Sequence, residues 1–453
     1  MRPHTALQQA LGDWTRRVSS LGLPFRALLI SEVLNLLALM VGAVAVPWWI
    51  AGQGGAHDLA AYGFTVSALL FFVMPALAPL GDRRPKRGLI VAGLLLYALA
   101  AALLASLASL GHYHLGWVLA TALVSALAAG LVAPAILNIA GEMVSAERLP
   151  EALSLQRSAQ SLGRVLGPAL GGLALSASTG LALWLQCGLL LSAALLARRL
   201  PGGMPPRAGQ DEQRGFQAWR RDLQAGLRVC WTMPLERGWT LVNFVSVLFM
   251  VPAFTMLVPL KVQSLGLSGA WLGAAETGLS LGMLLGALGG SAWVAARVGR
   301  YATRIGATMA QGLGLALAGA TEQGPLLVAA LFFVGLANSC GVLVGQTQRM
   351  LAIPAHFRAR LSAAGMMTLN IAAAAGPALA GLALLHLPVS QVYLLFGLMA
   401  AISALGFVLV PDFRTLMSLD HEAAKGWYAR RHPELFGGVA GAEVASNLSK
   451  SSA

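Results

Sequence analysis

Long apolar runs alternate with short polar segments along most of this chain. From Phe25 to Val410 the runs reach the ~20 residues that a helix needs to cross the hydrocarbon core of a bilayer. The pattern therefore predicts twelve membrane-spanning helices, at residues 25–50, 59–80, 88–110, 115–141, 153–178, 181–199, 238–260, 270–295, 303–320, 325–347, 361–385 and 389–410.

The composition excludes an ordinary soluble domain. Hydrophobic residues make up 57% of the chain and charged residues 11%, and the mean hydropathy is +0.71. The three cysteines lie in apolar settings and are too few for a disulfide framework. The first 24 residues are polar and contain no cleavable signal peptide.

The basic residues are distributed very unevenly among the predicted loops. Of the 31 Lys and Arg residues, 29 fall in the two terminal segments, in the loops that follow even-numbered spans or in the span ends next to them. The exceptions are Arg164, inside the fifth span, and Lys261, in the predicted loop 7–8. This bias predicts cytoplasmic termini and explains the net charge of +13 without a nucleic-acid partner.

An internal repeat indicates two related halves. The sequence GPALGGLAL at 167–175 returns 209 residues later as GPALAGLAL at 376–384, with eight of nine positions identical. A duplicated membrane half explains this better than low-complexity coincidence. The predicted segments are an N-terminal segment at 1–24, a six-helix bundle at 25–199, a linker with an amphipathic helix at 200–237, a second six-helix bundle at 238–410 and a tail at 411–453.

Glycines in and around this repeat have the spacing of a helix-packing motif. Gly163, Gly167 and Gly171 are four residues apart, so they share one helix face and let a neighbouring backbone approach closely. A proline at the same place bends the helix. The predicted packing motif consists of Gly163, Gly167, Pro168, Gly171, Gly172, Gly376 and Pro377.

The glycine motif resembles the fifth-helix motif of drug and metabolite antiporters in the major facilitator superfamily. FRALLISEVLNLL at 25–37 resembles the first helix of the enterobactin-exporter and macrolide-efflux branch, which usually has Gln at Glu32 and often an acid at Ala38. The resemblance implies an all-α membrane fold, with two pseudo-symmetric six-helix bundles around a central cavity. It also implies a multi-pass protein of the bacterial inner membrane with both termini cytoplasmic.

The segment GDRRPKR at 81–87 resembles the loop motif of the same superfamily, G-x-x-x-D-R-x-G-R-R, with Ala78 and Pro85 in place of its two glycines. The resemblance implies a cytoplasmic gate that latches the halves together. The alternative is that the cations only anchor the loop. Glu142, at the end of the fourth span, pairs with these cations or is solvated. The predicted gate residues are Asp82, Arg83, Lys86, Arg87 and Glu142.

Three charged residues lie deep inside predicted spans, where a charge is costly and marks a functional site or a buried pair. Glu32 and Glu276 are candidates for proton coupling or substrate contact, and an ion pair or a gate is the alternative for each. Arg164, near the midplane, needs a partner, either a carboxylate such as Glu32 or an anionic substrate. Polar residues predicted to join them at the cavity are Asn35, Asn243, Asn338 and Gln346.

Two segments outside the spans have helical patterns. Residues 1–24 fit an interfacial helix or a disordered tail, and residues 216–230 fit a basic amphipathic helix on the cytoplasmic surface. The segment 411–453 fits a cytoplasmic tail that lies along the membrane.

Chemistry for other classes of protein is missing from the sequence. There is no P-loop, no convincing metal site and no cluster for hydrolysis, so we expect a transporter and not an enzyme, with no cofactor. We predict secondary active transport by alternating access, with proton-coupled export of an amphiphilic compound such as a siderophore, a macrolide-like drug or a metabolite. The expected partners are this substrate, protons and membrane lipids, and we expect a monomer. The alternatives are an importer or flippase of lysophospholipid-like or other anionic substrates, and a receptor or assembly factor that transports nothing.

Overall fold

A computed structural model describes residues 22–145, 147–202 and 216–436, and these ranges are helical with no strand. The side chains at 75, 78–83, 137–138, 216–220 and 222 are not described. The first half contains six long helices, one for each predicted span: α1 (Leu23–Gln53), α2 (Gly55–Arg83), α3 (Lys86–Ser109), α4 (Leu115–Met143), α5 (Leu149–Ala177) and α6 (Thr179–Ala197).

The second half begins with the amphipathic linker helix α7 (Phe216–Thr232). Three of its six predicted spans are each divided into two consecutive helices, and a π-helical turn at Gly286–Gly290 separates one of these pairs. The helices are α8 (Pro234–Thr255), α9 (Leu257–Ser264), α10 (Gly269–Leu285), α11 (Ser291–Val298), α12 (Arg300–Ala320), α13 (Gly324–Ala352), α14 (Arg358–Leu384), α15 (Val389–Ser403) and α16 (Gly406–Leu409).

The predicted all-α membrane fold is confirmed. Ten helical segments of the described chain are long and apolar enough to cross a bilayer. The two other predicted spans, α5 and α12, have a similar length but carry charged side chains on one face. An amphipathic helix of this kind is stable in a membrane protein when its polar face lines an aqueous cavity or packs in the protein interior.

The repeated glycine motif makes the same contact in both halves. A Cβ on Gly167 of α5 would lie 2.4 Å from Cβ of Met40 on α1, and a Cβ on Gly376 of α14 would lie 2.5 Å from the carbonyl oxygen of Leu248 on α8. Because glycine lacks a Cβ, both pairs of backbones can approach closely. The fifth helix of each half therefore packs on the first helix of that half.

The two ends of the bundle are packed differently. We call the end with the Lys- and Arg-bearing loops the basic end, and the opposite end the cation-poor end. At the cation-poor end one apolar core joins the halves, with members such as Ala51, Leu59, Leu183, Met256, Leu272 and Leu331. At the basic end each half has a separate core, around Leu94 and Ile139 in the first and around Trp239 and Phe357 in the second. The halves therefore meet at the cation-poor end and diverge at the basic end.

Two symmetric contacts close the cation-poor end, and we call them the seal. A Cβ on Gly172 of α5 would lie 2.5 Å from Cα of Gly273 on α10. A Cβ on Gly381 of α14 would lie 2.6 Å from Cβ of Ala60 on α2. Gly172 and Gly381 occupy equivalent positions of the two repeats. The glycine motif therefore makes close helix contacts within each half and also between the halves.

The linker and the tail both pack on the second half. Gly226 of α7 lies against the backbone of α14, since a Cβ there would be 2.3 Å from the carbonyl oxygen of Arg360. The tail forms the short helices α17 (Phe413–Ser418), α18 (His421–Ala424), α19 (Trp427–Arg431) and α20 (Pro433–Phe436). The described part of the tail docks on protein through buried Phe413, Leu416 and Tyr428. The predicted N-terminal segment, up to residue 21, and the tail beyond residue 436 lie outside the described residues.

Candidate functional site

A cavity of about 420 Å³ lies between the halves, from mid-depth towards the cation-poor end. Most of its wall comes from α1, α2, α3, α4 and α6, and the rest from the second half. The wall is largely apolar, as is usual for cavities that take organic molecules. Its polar side chains are Tyr62, Ser67, Tyr97, Thr121, Ser125, Gln186, Thr255 and Glu276.

Glu276 is the one charged residue among the described residues that line this cavity. It lies in α10, one turn beyond Gly273 of the seal, so its position is coupled to the contact between α5 and α10. Gln186 of α6 adds a second acceptor, because its Oε1 is buried without a hydrogen-bond partner. Tyr62 and Tyr97 contribute aromatic surface. A carboxylate, a free carbonyl and two aromatic rings together suit a ligand that carries a cation or a hydrogen-bond donor.

Glu32 lies outside the cavity, in a closely packed region near the basic end. Its side chain is buried, and Nε2 of Gln156 on α5 donates a hydrogen bond of 2.5 Å to its Oε1. Oε2 of Glu32 and Oδ1 of the neighbouring Asn35 are both buried without a hydrogen-bond partner. The sequence left open an ion pair between Glu32 and Arg164, and the structure instead pairs Glu32 with an amide.

Arg164 is exposed and does not form the ion pair with Glu32 that the sequence left open, whereas its contact with an anionic substrate stays a prediction. One face of α5 carries four residues at successive spacings of seven, four and seven: Arg157, Arg164, Pro168 and Leu175. Towards the cation-poor end this face packs on α10, because a Cβ on Gly273 would lie 2.7 Å from the carbonyl oxygen of Pro168. Towards the basic end the same face carries Arg164 and Arg157 into the gap between the halves. In the described part of the chain no acid pairs with Arg164.

The remaining predicted cavity residues lie elsewhere. Asn243 accepts a hydrogen bond of 2.7 Å from Nη2 of Arg304 and thus belongs to the packing of the second half. Asn338 is half-buried and Gln346 is exposed on α13, and neither lines the cavity. Of the seven residues that we predicted for the cavity, Glu276 alone is among its lining residues.

Two cations that the sequence suggested for loops are buried inside helices. Arg304, in α12, has 6% of its surface exposed, and its Cζ lies 4.7 Å from the centre of the Phe407 ring. Lys261, in α9, has 1% exposed, and its Nζ donates to the carbonyl oxygen of Gly319 at 2.8 Å and to Oγ of Ser390 at 2.6 Å. Gly319 lies at the C-terminus of α12, where the helix dipole attracts a cation.

A buried ion pair anchors the tail to the second half. Glu236, which we had placed in the linker, lies in the first turn of α8 and is fully buried. Nε and Nη2 of Arg349 donate to its two carboxylate oxygens at 2.9 and 2.7 Å, and the Tyr428 hydroxyl donates to Oε1 at 2.5 Å. Gln348 extends the network, because its Nε2 donates to the carbonyl oxygens of Leu416 and Leu419 at 3.0 and 2.8 Å. A bidentate pair of this kind fixes geometry strongly.

The predicted gate lies at the basic end of the first half. The backbone of Asp82 and Arg83 forms the last turn of α2, and their side chains lie outside the described residues. Lys86, the first residue of α3, donates a hydrogen bond to Glu142 at the end of α4. Arg87 follows in the same turn. The Lys86–Glu142 pair joins α3 to α4 within one half and does not bridge the two halves.

The comparison with protein families gives one assignment. The protein-family model described as "Major Facilitator Superfamily" matches residues 28–377 of this chain. A curated relative, the "Multidrug efflux pump Tap" of Mycolicibacterium fortuitum, is 28% identical over 233 residues, which are 51% of this chain and 54% of the relative. The match thus spans about half the length of that protein.

Solved structures share the fold at low sequence identity. The nucleoside transporter NupG superposes with a TM-score of 0.67 at 14% identity, over 87% of this chain and 99% of that one. A POT family transporter in complex with a thioalcohol-conjugated peptide gives 0.66 at 12% identity, over 86% and 96%. A bacterial homologue of the human lysosomal transporter Spinster, in an inward-facing and unoccupied conformation, gives 0.63 at 14% identity, over 89% and 97%.

Proposed function

The chain belongs to the Major Facilitator Superfamily, and we propose that it is a secondary active transporter that exports an amphiphilic organic compound in exchange for protons. The observation that carries this proposal is Glu276, the one charged residue among the described residues that line the cavity between the halves. A carboxylate kept inside a membrane protein is costly, and such groups commonly serve ion or substrate pathways.

The way in which the halves meet supports alternating access. They share one apolar core at the cation-poor end and have separate cores at the basic end, so we infer that the cavity is reached from the basic end in this conformation. We assign the basic end to the cytoplasm from the distribution of Lys and Arg. The substrate then enters from the cytoplasm and leaves outwards after the seal opens and the basic end closes.

Antiport requires one site that a proton and the substrate cannot occupy together. Glu276 is suited to this exchange, because a proton neutralises the charge that holds a cationic substrate. Protonation from the outside then releases the substrate, and deprotonation towards the cytoplasm prepares the site for the next molecule. Glu32, which is bound to Gln156 outside the cavity, has a different role in this scheme, as a residue that positions α1 against α5.

The lining of the cavity favours a cationic or neutral amphiphile over an anionic siderophore. In the described lining, no Lys, Arg or His balances the charge of Glu276. Tyr62 and Tyr97 add rings that attract cations. The relative named as a multidrug efflux pump supports the export direction and an organic substrate.

The test uses proteoliposomes that contain the full chain and a trapped pH dye. We would add a lipophilic cation, a macrolide, a catecholate siderophore and a lysophospholipid in turn, and record proton movement and substrate uptake. We expect the lipophilic cation or the macrolide to drive proton movement, and Glu276→Gln to abolish it. Glu147→Gln, which changes an exposed loop acid, is the matched control and should transport normally.

A second candidate is an importer or flippase of anionic lysophospholipid-like compounds. The exposed Arg157 and Arg164, which face the gap between the halves on α5, favour it. In the same assay the lysophospholipid would move without protons, Glu276→Gln would stay active, and Arg164→Ala would be inactive. That set of results would overturn the antiporter proposal.

A further inference from the structure

A second cavity, of about 700 Å³, lies at the basic end of the second half. Its walls are α11, the start of α12, the last third of α13 and the tail helices α17 and α18. It shares no lining residue with the cavity around Glu276. The transport cycle proposed above makes no use of it.

The polar wall of this second cavity is basic. Arg300, Arg414 and His421 line it, and no Asp or Glu belongs to its described lining. Nη1 of Arg300 donates to the carbonyl oxygen of Leu419 at 2.6 Å, which fixes its guanidinium at the rim. Arg414 lies over Tyr301, with its Cζ 5.8 Å from the ring centre, and forms no ion pair with an acid in the described ranges. Three cationic or protonatable groups without a counter-charge match an anionic ligand.

The opposite wall is apolar and belongs to an exposed helix. Helix α11 has no buried residue, because the chain turns away at Gly289, where φ is 141°. The cavity is lined on this side by Ala292, Ala295 and Val298 of α11 and by Leu343 of α13. A basic end and an apolar wall in one cavity complement a molecule that has an anionic head and a hydrocarbon body.

The size and the position of the cavity indicate the source of that molecule. Cavities of roughly 300–1,000 Å³ accommodate organic ligands, so this space far exceeds a bare phosphate ion. It lies at the level of the basic loops, where the phospholipid headgroups of that leaflet are found. Basic pockets between transmembrane helices on the cytoplasmic side suit anionic headgroups.

We propose that this cavity binds one anionic phospholipid of the leaflet at the basic end. Its phosphate would contact Arg300 and Arg414, with His421 at the rim, and its acyl chains would lie along α11 and α13. Because Arg414 and His421 belong to the tail, the bound lipid would connect the tail to the transmembrane bundle. The inference is independent of which compound the protein transports.

The experiment counts lipids that stay bound to the purified full-length protein, using native mass spectrometry during titration with phosphatidylglycerol. We expect Arg414→Gln to weaken binding about fivefold, the usual effect of one interfacial charge. Arg237→Gln is the matched control: it removes an exposed cation at the same end of the same half, outside the cavity, and should bind as the wild type does.

Two further titrations identify the ligand class. Phosphatidylcholine should bind more weakly than phosphatidylglycerol, and glycerol 3-phosphate should bind very weakly because it lacks the acyl chains. The proposal is overturned if Arg414→Gln and Arg237→Gln lose the same amount of phosphatidylglycerol, since binding would then be non-specific. Equal binding of glycerol 3-phosphate and phosphatidylglycerol would also overturn it and would indicate a free-phosphate site.

Discussion

A single methyl group at Gly172 should open the seal. A Cβ at this position would lie 2.5 Å from Cα and 3.0 Å from the amide nitrogen of Gly273. Both atoms belong to the backbone, so no side chain can rotate out of the way. Helices α5 and α10 must therefore separate in Gly172→Ala, and only in the conformation in which they touch.

The size of this effect follows from the cost of overpacking, about 1–3 kcal/mol for added carbon atoms in a close contact. The replacement of glycine by alanine also favours a helix by about 1 kcal/mol, but α5 is helical in both conformations and that gain cancels. At about 1.4 kcal/mol per factor of ten, the ratio of sealed to unsealed molecules should fall roughly 5- to 150-fold.

The assay measures the distance between the halves at the basic end by double electron–electron resonance. Spin labels on Glu147→Cys and His356→Cys, both at exposed positions, report opening and closing there, and the three native cysteines are buried. In the Gly172→Ala background we expect a larger population with a short distance, because the basic end closes when the seal opens.

The control for this experiment is Gly188→Ala in α6, where an added Cβ would have no neighbour within 4 Å. Gly381→Ala should act like Gly172→Ala, because its Cβ would lie 2.6 Å from Cβ of Ala60 in the symmetric contact. If Gly172→Ala and Gly188→Ala give the same distance distribution, close glycine packing does not hold the halves together and the reasoning fails.

Four further outcomes can be checked. Glu236→Gln should destabilise the protein by about 3–5 kcal/mol in thermal unfolding, because Arg349 would stay buried without its counter-charge, and adding Arg349→Gln should restore part of the loss. Burial raises the pKa of Cys230 to about 11, so its thiolate fraction at pH 8 is about one thousandth, and alkylation as fast as that of a free thiol would contradict this. The same raised pKa stabilises the fold below about pH 9, and this contribution should be lost as the pH rises through about 11. Gly289→Ala should lower the free energy of unfolding by about 1–3 kcal/mol, because alanine strongly disfavours a φ of 141°. Thermal unfolding should therefore show a lower melting temperature.

The membrane helices could be predicted from the sequence because hydrocarbon imposes one requirement on every span. An apolar run must be long enough to cross and must satisfy its own backbone, so length and composition suffice to locate it. The glycine repeat could be recognised for a similar reason, since a four-residue spacing defines one helix face. Gly167 and Gly376 accordingly make equivalent contacts in the two halves.

The side-chain partners could not be predicted, because they come from distant parts of the chain. Asn243 is 61 residues from Arg304, and Glu236 is 113 residues from Arg349. The positive-inside rule treats a cation near a helix end as a topology signal, and it cannot distinguish an exposed anchor from a buried pair. The burial of Arg304 was missed for this reason.

The docking of the linker helix α7 and of the tail on one half makes the two halves mechanically unequal. Glu236, Arg349 and Gln348 tie the described tail to the second half, and Gly226 brings α7 against α14. When the halves rock, the linker helix and the tail would move with the second half as one rigid unit. The first half carries neither attachment and would rotate relative to that unit. A fluorophore placed on the tail would then stay still relative to α13 and register the full stroke relative to α4.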